Sequence, residues 1–261
     1  MRPDTLSLKG KIAIITGSGK ENGIGAGIAT ALAQNGAWVV VNYVSEATDP
    51  RAANVAAKIE QDGGKVAVVQ ADVSTPEGAK KIIAETVKAF NAERIDVLGN
   101  NAGAGATGPA MQASDEDLKK VFGVNVFGPL YMIRAVVPLM PRGGRIVNVS
   151  SIASKMGMAV IPLYSSAKAA QDQLAYALAM ELGRGNGITI NTVAPGPVPT
   201  DGLPKGPVAD AIHDALVPLT RAEERMGTVE DIADAVLLLV SEKSRWITGQ
   251  YISTSGGMTG G

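Results

Sequence analysis

Short, unbroken apolar runs separated by helix-length segments constrain this chain more than any single residue does. Ile12-Ala13-Ile14-Ile15 is the first, and apolar residues without polar alternation mark a strand buried on both faces. Trp38–Asn42, Val66–Gln70, Ile95–Leu98, Arg145–Ser150, Ile188–Val193 and Gln250–Ser253 repeat the pattern. Helical segments lie between them. One follows Gly25 and stops at Gly36; another runs from Arg51 to about Asp62 before Gly63-Gly64; a third spans Pro76–Phe90. A helix from about Asp115 carries Asn125 and is closed by Pro138 and Pro141. Two more run from Pro162 to about Leu182 and from Thr228 to about Ser241. This alternation predicts one α/β domain over residues 1–261, built on a doubly wound, mainly parallel, seven-stranded sheet with helices on both faces. Residues 197–225, rich in Pro and Gly and without a steady period, read as a flap with one short helix, inserted in that domain.

Composition removes several function classes. The 261 residues are 46% hydrophobic with a formal net charge of -1, which suits an ordinary globular protein and supplies no basic surface for nucleic acid or membrane. Cysteine is absent, so disulfides, thiolate metal sites and cysteine nucleophiles are excluded, and no metal is expected. Met1 to Lys11 lack the apolar core of an export signal, and no uninterrupted apolar run is long enough to cross a bilayer. A cytoplasmic location and a small-molecule substrate are the expectations.

The first strand meets Thr16-Gly17-Ser18-Gly19-Lys20-Glu21-Asn22-Gly23-Ile24-Gly25 and then an Ala-rich helix. Strand, glycine-rich turn and helix in one unit place free backbone amides at a helix N-terminus, where a dinucleotide pyrophosphate binds. The fourth strand runs into Asn100-Asn101-Ala102-Gly103, small residues that let a ligand approach the backbone. The fifth runs into Ser150-Ser151, and the next helix sets Tyr164 and Lys168 four residues apart on one face. An ammonium near a phenol favours the phenolate and is expected to lower the phenol's pKa. A serine hydroxyl beside them can donate to a substrate oxygen, so the three together can move a proton on and off an alcohol or carbonyl.

In this order the residues resemble the short-chain dehydrogenase/reductase family, with its Rossmann-like fold. The resemblance runs along almost the whole chain: Thr16-Gly17 with Gly23-Ile24-Gly25, Asp72-Val73, Asn100-Asn101-Ala102-Gly103, Asn125, Ser151, Tyr164, Lys168 and Pro195-Gly196 with Thr200, then Arg225-x-Gly227, Glu230-Asp231-Ile232-Ala233 and Thr248-Gly249-Gln250. It implies a catalytic set of Asn125, Ser151, Tyr164 and Lys168. Tyr164 would be the general acid in reduction, Ser151 would polarise the carbonyl, Lys168 would tune Tyr164 and bind the nicotinamide ribose, and Asn125 would hold a relay water. For the cofactor it implies Gly17, Gly23, Ile24 and Gly25 at the phosphates and Asp72 and Val73 at adenine. Asn100, Ala102 and Gly103 would line the adenosine side, and Pro195, Gly196, Val198 and Thr200 the nicotinamide side.

Two departures stand out. Five residues, Ser18 to Asn22, separate the first two glycines of the motif where three are usual; the loop should bulge, and Ser18, Gly19, Lys20 and Asn22 are all open as phosphate contacts. Gly99 stands where a branched apolar residue is usual. The second strand ends Val41-Asn42-Tyr43-Val44-Ser45, without the acidic residue that favours NAD. This resembles NADPH-dependent ketoreductases of the family, with Lys20 as the cation and Asn42, Tyr43 and Ser45 around the 2′-phosphate. The expected protein is therefore an NADP(H)-dependent oxidoreductase acting on a ketone or secondary alcohol, with NAD(H) possible, assembled as a homotetramer. The alternatives are an NAD-dependent alcohol dehydrogenase, an enoyl reductase (which typically has six residues between Tyr and Lys, against three here) and a non-catalytic nucleotide-binding regulator.

Overall fold

The computed structural model describes residues 6–203 and 206–260; residues 204 and 205 of the expected flap, and residues 1–5 and 261, lie outside the described residues. Seven strands form one sheet: β1 (Ile12–Ile15), β2 (Trp38–Tyr43), β3 (Lys65–Gln70), β4 (Val97–Asn100), β5 (Arg145–Val149), β6 (Thr189–Pro195) and β7 (Tyr251–Thr254). Their spatial order is β3-β2-β1-β4-β5-β6-β7, and every pairing is parallel. The helices are α1 (Ile24–Gln34), α2 (Asp49–Gln61), α3 (Pro76–Phe90), α4 (Asp115–Phe122), α5 (Gly128–Val136), α6 (Ala153–Met156), α7 (Pro162–Gly183), α8 (Pro207–Leu216) and α9 (Val229–Val240).

Strand alternation makes two cores. Ala13, Ile15, Val39 and Val41 point to the face covered by α1, α2 and α9, where Ile28, Leu32, Ile59, Ile232 and Val236 are buried. Ile12, Ile14, Val40 and Leu98 point to the other face, against Ile82 and Ile83 of α3, Met132 and Ile133 of α5, and Leu178 of α7. The chain winds outward in both directions from β1 and β4, so a crevice opens at the carboxyl ends of these two neighbours.

Three readings shift. The fourth strand begins at Val97 rather than Ile95. Ile95 bonds to the Leu139 carbonyl, and the buried Asp96 carboxylate accepts from Lys11 Nζ at 2.9 Å and Ile12 N at 3.0 Å, so these two residues tie the strand's approach. The helix carrying Asn125 is interrupted by a wide π turn, Gly123–Phe127, between α4 and α5. With that turn included, residues 115–139 form the one helical stretch among the described residues long and apolar enough to cross a bilayer, a length that uninterrupted apolar runs did not reveal. Val121, Met132, Ile133 and Val136 within it are buried in the protein.

Gly99 now has an explanation. A β-carbon there would stand 2.7 Å from Cδ1 of Ile15 on the adjacent strand, so the longer neighbour fills the space that a side chain at 99 would take. Gly99→Ala is therefore expected to destabilise by about 1–3 kcal/mol through overpacking. Adding Ile15→Val, which removes the clashing methyl, should recover part of that loss in a double-mutant cycle read by urea denaturation. Additive losses would contradict the assigned contact.

Candidate active site

Three strand ends are knotted together at the crevice. Asn101, just beyond β4, donates from Nδ2 to the carbonyls of Thr16 and Gly17, each at 2.9 Å. Thr16 Oγ1 accepts from the amides of Asn101 and Ala102 at 3.0 and 3.1 Å. Gly17 has φ +62°, and a β-carbon on it would lie 2.7 Å from Ala102 Cα; only glycine permits this approach. Asn100 is buried in β4 and donates to Asn148 Oδ1 at 2.9 Å. Thr16 and Asn101 carry the family resemblance in the sequence, but the strand-tying role of their side chains is not legible there.

The enlarged glycine loop folds onto β2. Ser18 is buried, donates to the Ile15 carbonyl at 2.7 Å and accepts from Asn42 N at 3.1 Å, so it serves the loop itself. Gly19 is pressed against Tyr43, Ala52 and Thr48. Lys20 is exposed. Glu21 is held on α2 by Arg51 Nε at 2.5 Å and Asn54 Nδ2 at 3.1 Å, and the Arg51 guanidinium keeps its carboxyl below the usual value. Arg51 also reaches across to Asp201 in the flap. Beyond the loop, Gly23 stands at the N-cap of α1 and supplies no side-chain cap, leaving the amides of the first turn open to an anion.

Asn42 corrects the sequence reading. It is buried; its Oδ1 accepts from Gly17 N at 3.1 Å, and its Nδ2 donates to the carbonyls of Tyr43, Val69 and Ala71 at 3.3, 3.2 and 3.0 Å. With its amide committed to β2, β3 and the glycine loop, it positions the backbone and has no donor to offer a phosphate. Tyr43 is buried with its hydroxyl on Asp49, whose carboxylate raises the phenol's pKa. Ser45 bonds Thr48 at the surface, 2.9 Å away. Asp72 is exposed and accepts from Ser74 N at 2.8 Å, while Val73 after it is buried in the core. On the far side, Pro195 ends β6, Gly196 packs on Ser255, Val198 is buried in the core, and Thr200 Oγ1 accepts from Gly202 N at 3.3 Å.

At the ends of β4 and β5, Asn125, Ser151, Tyr164 and Lys168 border one region. Ser151 follows β5 and accepts from Ala153 N at 3.1 Å; its hydroxyl lies beside the Tyr164 phenol and pulls that pKa down. Burial acts the other way and more strongly, so the phenol sits above its usual value. This overturns the expectation of a lowered phenol: burial outweighs the Ser151 hydroxyl, and the cation expected to favour the phenolate is the equally buried Lys168. Its Nζ, fully buried and 5.7 Å from the Tyr164 ring centre, donates to the Val149 carbonyl at 2.7 Å and to Gln171 Oε1 at 3.2 Å. Asn125 occupies the π turn, where its Nδ2 donates to the Ala104 and Val121 carbonyls at 2.6 and 2.8 Å. A β-carbon on Gly103 would stand 3.3 Å from Asn125 Oδ1 and 3.8 Å from Lys168 Nζ, which places these groups around one small space.

Asp172, one turn beyond Lys168 on α7, supplies the nearest opposite charge. Burial raises its pKa; the Ser150 and Ser154 hydroxyls face it without closing a well-formed hydrogen bond and offset this only in part. Burial pulls Lys168 down to about 8, against a smaller upward pull from Asp172.

Residues 17–259 match the family model described as enoyl-(acyl carrier protein) reductase. The chain is 38% identical over 251 residues to an uncharacterized oxidoreductase of Methylorubrum extorquens, covering 96% of this chain and 98% of that one. It is 36% identical over 256 residues to the short-chain dehydrogenase/reductase FrzI of Cladobotryum sp., covering 97% of both. The chain belongs to the short-chain dehydrogenase/reductase family. Among solved structures, the angucycline C-6 ketoreductase LanV with bound NADP is similar at a TM-score of 0.88 and 33% identity, over 97% of this chain and 96% of that one. As a member of this family the protein is an NAD(P)-dependent oxidoreductase.

The buried ammonium carries a stability cost with a definite sign. Lys168 titrates near 8 in the folded protein and near its ordinary 10.5 when unfolded, so the unfolded chain holds the proton more tightly between those values. The penalty is complete below about pH 8 and fades as pH rises toward 10.5. Lys168→Met should therefore stabilise the protein by on the order of 1–3 kcal/mol at pH 7, with the advantage shrinking between pH 8 and 10.5 in thermal melts. A destabilised Lys168→Met protein at pH 7 would refute this.

Proposed function

We propose that the protein is an NADP(H)-dependent ketoreductase acting on an apolar ketone or its secondary alcohol, with Ser151, Tyr164, Lys168 and Asn125 as its catalytic set. The observation that carries this reading is the Ser151 hydroxyl beside the Tyr164 phenol at the mouth of the crevice, with the Lys168 ammonium buried behind. A phenol kept above its usual pKa remains protonated at neutral pH, the state needed to give a proton to a carbonyl oxygen. Ser151 would donate to the same oxygen and fix its orientation. Three residues between Tyr164 and Lys168 favour this reading over the enoyl reduction in the matched family's description.

The cofactor site is read from the same residues. The uncapped start of α1 and the close-packed Gly17 suit a pyrophosphate, and the small residues Ala102 and Gly103 leave room for a ribose at Lys168. Nicotinamide would supply or accept the hydride when bound; the chain holds it, excludes water and moves the proton. Gly17, Gly23, Ile24, Gly25, Asp72, Val73, Asn100, Ala102, Gly103, Pro195, Gly196, Val198 and Thr200 would line that cofactor. For the 2′-phosphate, Lys20 is the exposed cation and Ser45 the available donor. Of the two nearby acidic side chains that would oppose the phosphate, Asp49 is engaged by Tyr43 and Glu46 is exposed to solvent. The bound NADP of LanV supports this choice, and the angucycline in that protein's name supports a bulky, polyketide-like ketone. Residues 197–225 would act as a flap over the substrate within one domain. Exposed Phe127, Tyr176, Met180 and Trp246 suit burial between copies in a homotetramer.

Two experiments test the reading. Tyr164→Phe should lower kcat for a screened ketone by at least about a hundredfold while NADPH binding, followed by cofactor fluorescence, stays within about threefold; near wild-type turnover would remove Tyr164 as the acid. Wild type should show higher kcat/KM with NADPH than with NADH, and Lys20→Ala should erode that ratio about tenfold. An NADH preference indifferent to Lys20→Ala would overturn the cofactor assignment.

A further inference from the structure

Gln171 has no place in the catalytic set, yet it is the most completely enclosed polar side chain of α7. It is fully buried, its Oε1 accepts from Lys168 Nζ at 3.2 Å, and its Nε2 has no hydrogen-bond partner. A Leu or Met would fill the same volume without stranding a donor, so the retained amide calls for an explanation at this position. The explanation lies in how few acceptors reach the ammonium. Lys168 has three N–H groups. One goes to the Val149 carbonyl at 2.7 Å and one to Gln171, which directs the third toward the space shared by Tyr164, Gly103 and Asn125.

We propose that Gln171 is a positioning residue: its side-chain oxygen holds the Lys168 ammonium at the end of β5 with one N–H free for the cofactor ribose and the substrate side. This rests on the assignment of Lys168 to a nicotinamide cofactor site. The orientation of the amide follows from the contact itself, because a flipped Gln171 would set its NH2 against the ammonium. Without Gln171 the ammonium keeps a single fixed acceptor in a fully buried site, so it both swings and gives up its proton more readily.

The charged and titratable groups facing Lys168 are few. Tyr164 and Asp172 share its helix; Lys155 of α6 acts on Asp172; and the other elements present the neutral Ser150, Ser151, Gly103 and Asn125. A change at Gln171 is therefore read against a quiet background. NADPH dissociation constants, measured by cofactor fluorescence from pH 6.5 to 9.5, report Lys168 directly and need no turnover.

Gln171→Met should bind NADPH about three- to tenfold more weakly at pH 7.5, with the midpoint of its affinity loss moved to lower pH than in wild type. Gln171→Glu, which keeps an acceptor and adds a charge, should move that midpoint to higher pH and hold affinity at pH 7.5 within about threefold of wild type. The opposite signs exclude a packing effect. In a Lys168→Met background, Gln171→Met should have no further effect on NADPH affinity. With ketone as substrate, Gln171→Met should lose about tenfold in kcat while melting no lower than wild type. Unmoved midpoints in both variants, or a full further loss in the Lys168→Met background, would overturn the role. A wild-type protein that binds NADPH but reduces no ketone would sink the ketoreductase reading alone, since the binding series still decides Gln171.

Discussion

Everything the crevice offers depends on three parallel strands ending at one level. Parallel pairing alone does not secure this, because each strand leaves toward a different helix. Here the ends of β1, β2 and β4 are tied by side chains bonded to backbone: Thr16 and Asn101 between β1 and β4, Ser18 and Asn42 between the glycine loop and β2. Each bond contributes about 1 kcal/mol by itself. Their larger effect is to remove alternative registers, since an unpaired amide at this depth costs more than a paired one returns. Helix α1 is thereby aimed with its open amides into the crevice.

The same rigidity lets the fold hold an unfavourable charge. An ammonium with no exposure survives at Lys168 because β5 and α7 are packed tightly enough to present two acceptors to it. Stability is given up to keep a cation in a dry place, a pattern expected of a site rather than of a core.

Fold and site differ in how much of each could be read without coordinates. The strands were legible because apolar residues without alternation have few other uses. The start of β4 was misplaced because Ile95 is as apolar as a strand residue, although its amide is spent on Leu139 and the following Asp96 on Lys11 and Ile12. Asn125, Ser151, Tyr164 and Lys168 could be proposed as a set from type and order, and the structure brings them to border one region. The direction of the Lys168 side chain could not be read, because its partners are the Val149 carbonyl and Gln171, which in sequence is one more polar residue in a long helix. Asn42 shows the converse failure: a polar residue at a strand end reads as ligand-facing until its four backbone partners are seen.

The lengthened glycine loop gains a meaning from Arg51. Its extra residues include Glu21, and Arg51 joins Glu21 to Asp201 in the segment that follows β6. The first and last walls of the crevice are thus clasped by one guanidinium rooted in α2. Because all three side chains remain partly open to solvent, ions in the medium weaken the clasp. The mouth of the crevice is then held less firmly in concentrated salt than in dilute buffer, while the hydrogen-bonded floor beneath it is indifferent to both.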